Sequence, residues 1–220
     1  MRKKGNLEKR LKACEDIMMP ADFSVSDMRE AVQEKQYVDF EAFFGNSNPL
    51  HLEIGCGKGS FVCQLARQHP EINYIACEKV SNVIITAVER VKAEGIRNIY
   101  FFNCLAEMLE KYIPEGSVSR LYLNFSDPLL KHGGKRQRLT STRFLELYQK
   151  LLCPGGEIWQ KTDNEVLYRF STDNYPSCGF EIVSTSEDWD SVANGDIETE
   201  YEQHFKEQGF KIFRIVARKS

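Results

Sequence analysis

The chain has no long apolar run, and this absence argues against a helical membrane protein. Its 220 residues contain no stretch near the ~18 consecutive apolar residues that a membrane span needs. The charged start Met1-Arg-Lys-Lys4 is not followed by the hydrophobic segment of a secretion signal. We therefore expect a cytoplasmic protein. A mass of 25.4 kDa is enough for one α/β domain with short extensions, but not for a second large domain.

Paired cysteines and a dinucleotide fingerprint are also missing. The seven cysteines are an odd number, and none forms a CxxC pair or a cluster with the four histidines. A structural zinc site is therefore not expected, and we interpret the thiols as small buried residues in a reducing compartment. The glycine-rich stretch has the spacing GxGxG and lacks the GxGxxG of a dinucleotide site. This spacing favours a ligand without phosphates over a pyrophosphate.

A glycine-rich turn predicts a cofactor site. The segment Leu52-Glu-Ile-Gly-Cys-Gly-Lys-Gly-Ser60 joins a short apolar run to a helical pattern, so its glycines lie at a strand-to-helix turn. Gly55, Gly57 and Gly59 permit positive φ and let a ligand approach the backbone closely. Amides at the start of the helix attract electronegative ligand groups. An incidental glycine turn is the structural alternative.

Two carboxylates near these glycines favour S-adenosylmethionine as the ligand. Glu53 stands two residues before Gly55, where its charge would repel phosphate but suits a cationic ligand. Glu78 closes the next hydrophobic run, at the place where an acidic side chain receives ribose hydroxyls. The pairing of the turn with Glu78 favours a cofactor-dependent enzyme over an incidental turn.

Strand and helix signals alternate along the chain, which is typical of an α/β fold with a mostly parallel sheet. We expect a basic arm at 1–45 and one domain at 46–220. Ligands of such a sheet bind beyond the carboxyl ends of the strands. Polar residues at these ends are Glu53, Glu78, Asn124 to Asp127 and Lys161 to Asn164. The predicted strands are 50–54, 72–77, 98–102, 118–124, 157–161, 179–184 and 211–217, and the predicted helices are 60–68, 81–94, 106–112, 141–152, one from about 164, and 200–208.

Charge is unevenly distributed although the net charge is only −3. Residues 2–12 carry six Lys or Arg against one acid, and residues 131–143 carry five with no acid. Between Arg169 and Lys206 the chain has nine carboxylates and no Lys or Arg. Two basic patches on an acidic protein suit a phosphate backbone held at a chosen place. A solvated surface is the alternative, above all for residues 2–12.

Motifs in a fixed order after the glycine turn resemble the bacterial tRNA guanine-N7 methyltransferase family. The resemblance covers nearly the whole chain from residue 50, and it implies a Rossmann-like class I methyltransferase fold, with helices on both faces of a mostly parallel twisted sheet. It also implies S-adenosylmethionine as methyl donor and the variable-loop guanine of tRNA, position 46, as acceptor. We expect tRNA as partner, no metal, no membrane, and a monomer or weak homodimer. The motifs are Tyr122-Leu-Asn-Phe-Ser-Asp-Pro128, Lys131, the basic run to Thr140, Lys161-Thr-Asp-Asn164 and Thr199-Glu-Tyr-Glu202.

The resemblance also implies roles for individual residues. Asp127 falls on a catalytic or guanine-binding aspartate that also belongs to the cofactor site. The structural alternatives are a turn residue for Asp127, which precedes Pro128, and an N-terminal helix cap for Asp163. Their combination at one edge of the sheet favours function. The other implied cofactor residues are Glu53, Gly55, Gly57, Gly59, Glu78 and Leu105, and the implied substrate residues are Lys131, Asp163, Thr199, Glu200, Tyr201 and Glu202.

The chain departs from the family pattern at three places. Leu105 stands where the family usually has an acidic residue, so we expect weaker cofactor binding. Asp127-Pro-Leu-Leu-Lys131 replaces the usual Asp-Pro-Trp-Pro-Lys, and Gly133-Gly134 replace common Arg and His, which predicts a less rigid and less basic loop with activity retained. A noncatalytic RNA-binding protein and a methyltransferase for small molecules or proteins remain alternatives, and the glycine spacing disfavours a dehydrogenase.

Overall fold

The computed structural model describes residues 5–19, 32–131 and 133–220, which belong to two compact units, 1–114 and 115–220. The first unit contains helices and parallel strands in alternation after an N-terminal arm. Its elements are α1 (Leu7–Lys12), α2 (Phe40–Phe44), β1 (Leu50–Ile54), α3 (Ser60–Gln68), β2 (Asn73–Cys77), α4 (Ser81–Glu94), β3 (Ile99–Phe102) and α5 (Leu109–Tyr112), with 3₁₀ turns at Glu15–Ile17 and Ala106–Met108.

The three strands of the first unit end side by side. β2 pairs in parallel with β1 on one side and with β3 on the other. Every residue of β1 and β2 is buried, including the polar His51, Glu53 and Asn73, as expected for parallel strands that are covered on both faces. Ile54 is opposite Cys77, and Cys77 is opposite Phe102. The residues that follow these three therefore lie along one edge of the sheet, as expected.

Helix α4 buries one apolar stripe. The sequence predicted a stripe of Val83, Ile84, Ala87, Val88 and Val91; the last four are fully buried together with Ile85, whereas Val83 is only half-buried. The helix ends at Gly95, whose φ of 67° is the left-handed conformation that glycine adopts most easily. The prediction of this helix is confirmed at both of its ends.

The described part of the N-terminal arm is docked on the first unit. Leu7 is buried, and the Arg10 guanidinium donates two hydrogen bonds of 2.6 Å to the Glu89 carboxylate on α4. The Met19 amide donates to the Phe101 carbonyl at 2.8 Å, so the chain runs along the free edge of β3. Residues 1–4, which contain three of the six Lys or Arg residues of 2–12, lie outside the described residues.

The second unit contains a mixed set of strands. β5 pairs in parallel with β4 and antiparallel with β7, and β7 pairs antiparallel with β6. No helix in the described ranges of the chain is long and apolar enough to cross a membrane. The elements are β4 (Val118–Asn124), a 3₁₀ turn at Gly134–Gln137, α6 (Thr142–Leu151), β5 (Leu152–Thr162), α7 (Glu165–Ser177), β6 (Phe180–Ser186), α8 (Glu200–Glu207) and β7 (Phe213–Lys219).

Strand β5 begins earlier than its sequence predicts. The sequence predicted a helix at 141–152 and a strand from 157, yet the strand starts at Leu152, directly after α6. Leu152 is opposite Val118, and Glu157 is opposite Arg120, so β5 has extra residues between these two pairs. They form a bulge, an irregularity that accommodates proline and glycine inside a strand.

Candidate functional site

The glycine turn of the first unit is shaped by three positive φ angles. These are 81° at Gly55, 58° at Gly57 and 72° at Gly59. A side chain built on Gly55 would meet nothing within 4 Å, and one on Gly57 would meet only the Gly55 carbonyl at 4.0 Å. A Cβ on Gly59 would instead lie 2.5 Å from the Ala87 side chain. The first two glycines therefore border open space that a ligand can enter, while Gly59 lets α3 start close to α4.

Glu78 connects the turns that follow β1 and β2. Its Oε1 accepts a hydrogen bond of 2.8 Å from the Val80 amide, and its Oε2 accepts one of 3.3 Å from the Gly57 amide. The carboxylate is thus held at the strand ends before any ligand binds. Each carboxylate oxygen has two lone pairs, so both oxygens keep the capacity to accept from ligand hydroxyls.

Asn103 supports this arrangement and was not singled out from the sequence. It follows β3 directly and is 6% exposed. Its Nδ2 donates to the Glu78 carbonyl at 2.8 Å, and its Oδ1 accepts from Ser81 Oγ at 2.7 Å. The available signal was its position directly after the third predicted strand. Glu78 has the same position after the second predicted strand.

The electrostatic environment of the turn is negative. Burial raises the pKa of the Cys56 thiol well above its ordinary value, and the nearby charges of Glu53 and Glu78 raise it further. Glu53 is 3% exposed at the end of β1. A site with two such carboxylates repels phosphate and attracts a cation. Leu105, the departure noted above, follows β3 and is 40% exposed, so it offers an apolar surface where an acidic side chain was expected.

In the second unit, the two aspartates follow neighbouring strands. Asn124 at the end of β4 is opposite Lys161 on β5, and Asp127 and Asp163 follow these residues closely. Asp127 is exposed, and one of its oxygens accepts a 2.9 Å hydrogen bond from the Leu129 amide. The turn role suggested by Pro128 is therefore real, but it leaves the second carboxylate oxygen of Asp127 outside this bond.

Asp163 does not cap the helix that follows it. The N-cap of α7 is Asn164, whose side chain accepts from the Leu167 amide at 2.9 Å. The partly exposed Asp163 carboxylate makes no hydrogen bond or ion pair with any residue that the structure describes. The structural alternative for Asp163 is thus removed, and its carboxylate is available to a ligand.

The basic loop is closed by its own contacts. Arg138 is 2% exposed, and its Nε donates to the Pro128 carbonyl at 2.7 Å while its guanidinium lies 4.6 Å from the Phe170 ring. A Cβ on Gly134 would lie 2.4 Å from the Leu129 carbonyl oxygen. Glycine thus allows close packing within the loop, which does not fit the expected loss of rigidity. Arg138 supports the loop, whereas Lys131, Lys135, Arg136 and Arg143 are exposed.

The motif at 199–202 divides into buried and exposed residues. Thr199 is the N-cap of α8, and its Oγ1 accepts from the Glu202 amide at 2.9 Å. The Glu202 carboxylate is fully buried and lies 3.2 Å from Lys161 Nζ, and it also accepts from Ser191 Oγ at 2.8 Å. Glu200 and Tyr201 are exposed. Of the four residues, only the latter two have side chains that are accessible from solvent.

Lys161 is the central residue of this buried network. Its Nζ also donates to the Ile197 carbonyl at 2.8 Å and to Ser191 Oγ at 2.9 Å, and it lies 3.3 Å from the Asp196 carboxylate. Burying charge is costly unless the charges are paired and hydrogen bonded, as they are here. The network fixes the segment 190–202 to β5.

Similarity to known proteins extends over most of the chain. The family described as "Putative methyltransferase" matches residues 47–215. A tRNA (guanine-N(7)-)-methyltransferase of Alkaliphilus oremlandii is 40% identical over 89% of this chain and 97% of its own length. A protein of the same name from Bacillus velezensis is 40% identical over 88% of both chains. The chain belongs to the tRNA (guanine-N7)-methyltransferase family.

Solved structures confirm the Rossmann-like methyltransferase fold predicted for this family member. The 16S rRNA methyltransferase KamB superimposes with a TM-score of 0.63 at 14% identity, over 91% of this chain and 95% of its own. A SAM-dependent methyltransferase from Aquifex aeolicus gives a TM-score of 0.54 at 13% identity, over 99% of this chain and all of its own. Identities this low show the common fold and nothing about substrate.

Proposed function

We infer that this chain is an S-adenosylmethionine-dependent tRNA (guanine-N7)-methyltransferase. The observation that carries this inference is its identity of 40% with relatives of that name over nearly the full length of both proteins. The site geometry supports the same conclusion, because the first unit has a glycine turn that borders open space, and the second has carboxylates after two neighbouring strands and exposed cations on the loop after β4. We propose the variable-loop guanine at position 46 as the acceptor. A cytoplasmic location and a monomer or weak homodimer stay predictions.

The residues of the first unit fit the donor. Gly55 and Gly57 border open space that a side chain would fill, which leaves room for a ligand against the backbone. We propose that Glu78 accepts from ribose hydroxyls and that the buried Glu53 contributes negative potential toward a sulfonium. Leu105 provides apolar contact near the adenine. When bound, S-adenosylmethionine supplies an electrophilic methyl group. Weaker donor binding through Leu105 stays a prediction.

The residues of the second unit suit a guanine held by its edge. We propose that Asp127 and Asp163 accept hydrogen bonds from the N1 and amino groups of the base, and that Lys131 contacts a phosphate. Glu200 and Tyr201 would complete the contacts. Thr199 and Glu202, which the family resemblance assigned to substrate, would act by holding α8 in place, since both are buried and engaged.

The chemistry requires no general base. Guanine N7 has an in-plane lone pair and carries no proton, so it can attack a methyl group directly. The protein therefore contributes mainly by positioning the base and stabilising charge. Methylation leaves positive charge on the guanine. The carboxylates of Asp127 and Asp163 would stabilise that charge as it develops.

The test is to locate N7-methylguanine in unmodified tRNA after incubation with the protein and donor. Chemical cleavage of the RNA at N7-methylguanine should occur at the variable-loop guanine. Asp163→Asn and Asp127→Asn should lower turnover more than tRNA affinity, because asparagine keeps an acceptor oxygen but loses the charge. Asp173→Asn, an exposed aspartate on α7, is the matched control. Donor binding without cleavage in any tRNA would refute the activity and favour a noncatalytic RNA-binding protein.

A further inference from the structure

Four side chains of the second unit form a buried series of hydrogen bonds that the proposed chemistry does not use. Tyr175 Oη donates to Gln160 Oε1 at 3.0 Å, and Gln160 Nε2 donates to Ser171 Oγ at 3.1 Å. Ser171 Oγ in turn donates to Thr140 Oγ1 at 2.8 Å. All four residues are at most 1% exposed, and we call them the Thr140 cluster. Such a cluster specifies one arrangement, because a displaced partner would leave a buried polar group unpaired.

The Thr140 cluster fixes one end of the loop 125–140, which follows β4. Asn174 Nδ2 donates to the Thr140 carbonyl at 2.7 Å, so both the backbone and the side chain of Thr140 are bound to α7. At the other end of the loop, the Phe125 amide donates to the Lys161 carbonyl at 2.9 Å. Gln160 and Lys161 are adjacent on β5. Both ends of the loop are therefore held relative to the same place on this strand.

Arg138 holds the turn that contains Asp127. Its Nε donates to the Pro128 carbonyl at 2.7 Å, and its guanidinium lies 4.6 Å from the centre of the Phe170 ring on α7. The Leu129 amide donates to the Asp127 carboxylate at 2.9 Å. Leu129 has a φ of 44°, a conformation that a residue with a side chain keeps only with support from its surroundings. The contacts of Arg138 provide that support next to Asp127.

We propose that Arg138 and Thr140 are positioning residues that hold Asp127 in a fixed place relative to Asp163. This proposal rests on the proposed function, in which both carboxylates bind one guanine. Asp163 directly follows β5, the strand that anchors both ends of the loop. Two groups that bind the same base must be in position together, since a displacement of about 1 Å can lower a rate roughly 100-fold. Arg138 and Thr140 act through Asp127 and do not touch the base.

Exposure separates Arg138 from the other cations of the same loop. Lys131, Lys135 and Arg136 are exposed and can neutralise RNA phosphates. Arg138 is 2% exposed, so its charge is out of reach of a phosphate. The basic run thus performs two tasks. Loss of an exposed cation should alter RNA binding, whereas loss of Arg138 should alter turnover.

The test compares Arg138→Met with Arg136→Met, two residues apart. Methionine keeps an unbranched apolar stem but removes the charge and every donor. Arg138→Met should lower kcat roughly 10- to 100-fold, with a smaller change in KM for tRNA and the parent's salt dependence of tRNA binding. Arg136→Met should lower the slope of log binding constant against log salt concentration by about 0.7–0.9. Arg169→Met, at an exposed arginine on α7, is the matched control and should change neither kcat nor the slope.

Two further variants separate positioning from a general loss of stability. Arg138→Lys keeps a charged donor for the Pro128 carbonyl and should recover part of kcat. Thr140→Val keeps the volume of the side chain but removes the acceptor of Ser171, so it should lower kcat and leave the salt slope unchanged. A thermal unfolding scan of each variant sets an assay temperature at which the protein is folded.

Hydrogen exchange of the Leu129 amide reports the position of Asp127 without methyl transfer. This amide should exchange faster in Arg138→Met and Thr140→Val than in the parent, because its bond to the carboxylate is lost, whereas Arg169→Met should match the parent. Equal exchange in Arg138→Met and Arg169→Met would overturn the proposal. So would an Arg138→Met protein with the parent's kcat and a reduced salt slope, since Arg138 would then contact phosphate. Failure of the parent to methylate tRNA would refute the proposed function alone, while the exchange data would still decide whether Arg138 and Thr140 hold Asp127.

Discussion

Replacement of Glu78 by alanine should weaken donor binding because the change removes two kinds of contact. The carboxylate would no longer accept from ribose hydroxyls, and the amides of Gly57 and Val80 would lose the acceptor that they now share. An unsatisfied polar group costs about 1–3 kcal/mol. The dissociation constant of S-adenosylmethionine should therefore rise roughly 5- to 150-fold. Glu78→Gln, which keeps one acceptor oxygen, should lie between the parent and the alanine variant.

Isothermal titration calorimetry with S-adenosylmethionine measures this effect directly. Glu71→Ala is the matched control, because Glu71 is an exposed carboxylate near the opposite end of β2. A thermal unfolding scan of each variant reports any general loss of stability. If Glu78→Ala and Glu71→Ala bind S-adenosylmethionine equally tightly, Glu78 does not contact the cofactor. The functional interpretation of the glycine turn then loses its main support.

Three further predictions concern the charge and burial of other residues. The double variant Lys135→Ala/Arg136→Ala, which leaves the buried Arg138 unchanged, should lower the slope of log binding constant against log salt concentration by about 1.5 for tRNA. Arg169→Ala is the control and should leave the slope unchanged. An unchanged slope for the double variant would mean that the RNA binds elsewhere. Lys161→Met leaves the Glu202 carboxylate buried without its cation, so it should lower the free energy of unfolding, measured by urea titration, by about 3–5 kcal/mol. If it lowers this free energy no more than Arg169→Ala, a change at an exposed ion pair, the buried pair does not stabilise the fold. Burial raises the pKa of the Cys63 thiol to about 11, so its contribution to folding stability is complete below pH 9 and is lost as pH rises toward 11, at about 1.4 kcal/mol per pH unit. In urea titrations over this pH range, Cys63→Ala should reduce the pH dependence of the free energy of unfolding, and an unchanged dependence would contradict the prediction.

Regular elements could be predicted from the sequence where burial and periodicity agree. Helices α3 and α4 and strands β1 and β4 have the predicted bounds, because each helix has a single apolar stripe and each strand is a short, largely apolar segment between turn residues. The start of β5 could not be predicted in this way. Proline and glycine usually end a strand, and only the pairing of Leu152 with Val118 shows that a bulge absorbs them.

The sequence predicted a set of candidate site residues but not which of them already have partners within the protein. Their membership in the site stays a prediction, whereas the expectation that β1, β2 and β3 end at one edge is confirmed. The sequence cannot show which side-chain oxygens already accept hydrogen bonds within the protein. Asn164 rather than Asp163 caps α7, and the Glu202 carboxylate is already paired with Lys161 and hydrogen bonded to Ser191. Asn103 was missed although it directly follows the third predicted strand, because asparagine is also an ordinary turn residue.

The same division explains why a motif of four adjacent residues can serve one function by two physical means. Along α8 the side chains of Thr199 and Glu202 point into the unit, where they are buried, while those of Glu200 and Tyr201 are exposed. A helix turns about 100° per residue, so adjacent residues cannot all meet the same ligand. The buried pair fixes the helix, and the exposed pair is thereby set in place. Loss of either pair would impair activity, but only loss of the exposed pair would leave the fold's stability nearly unchanged.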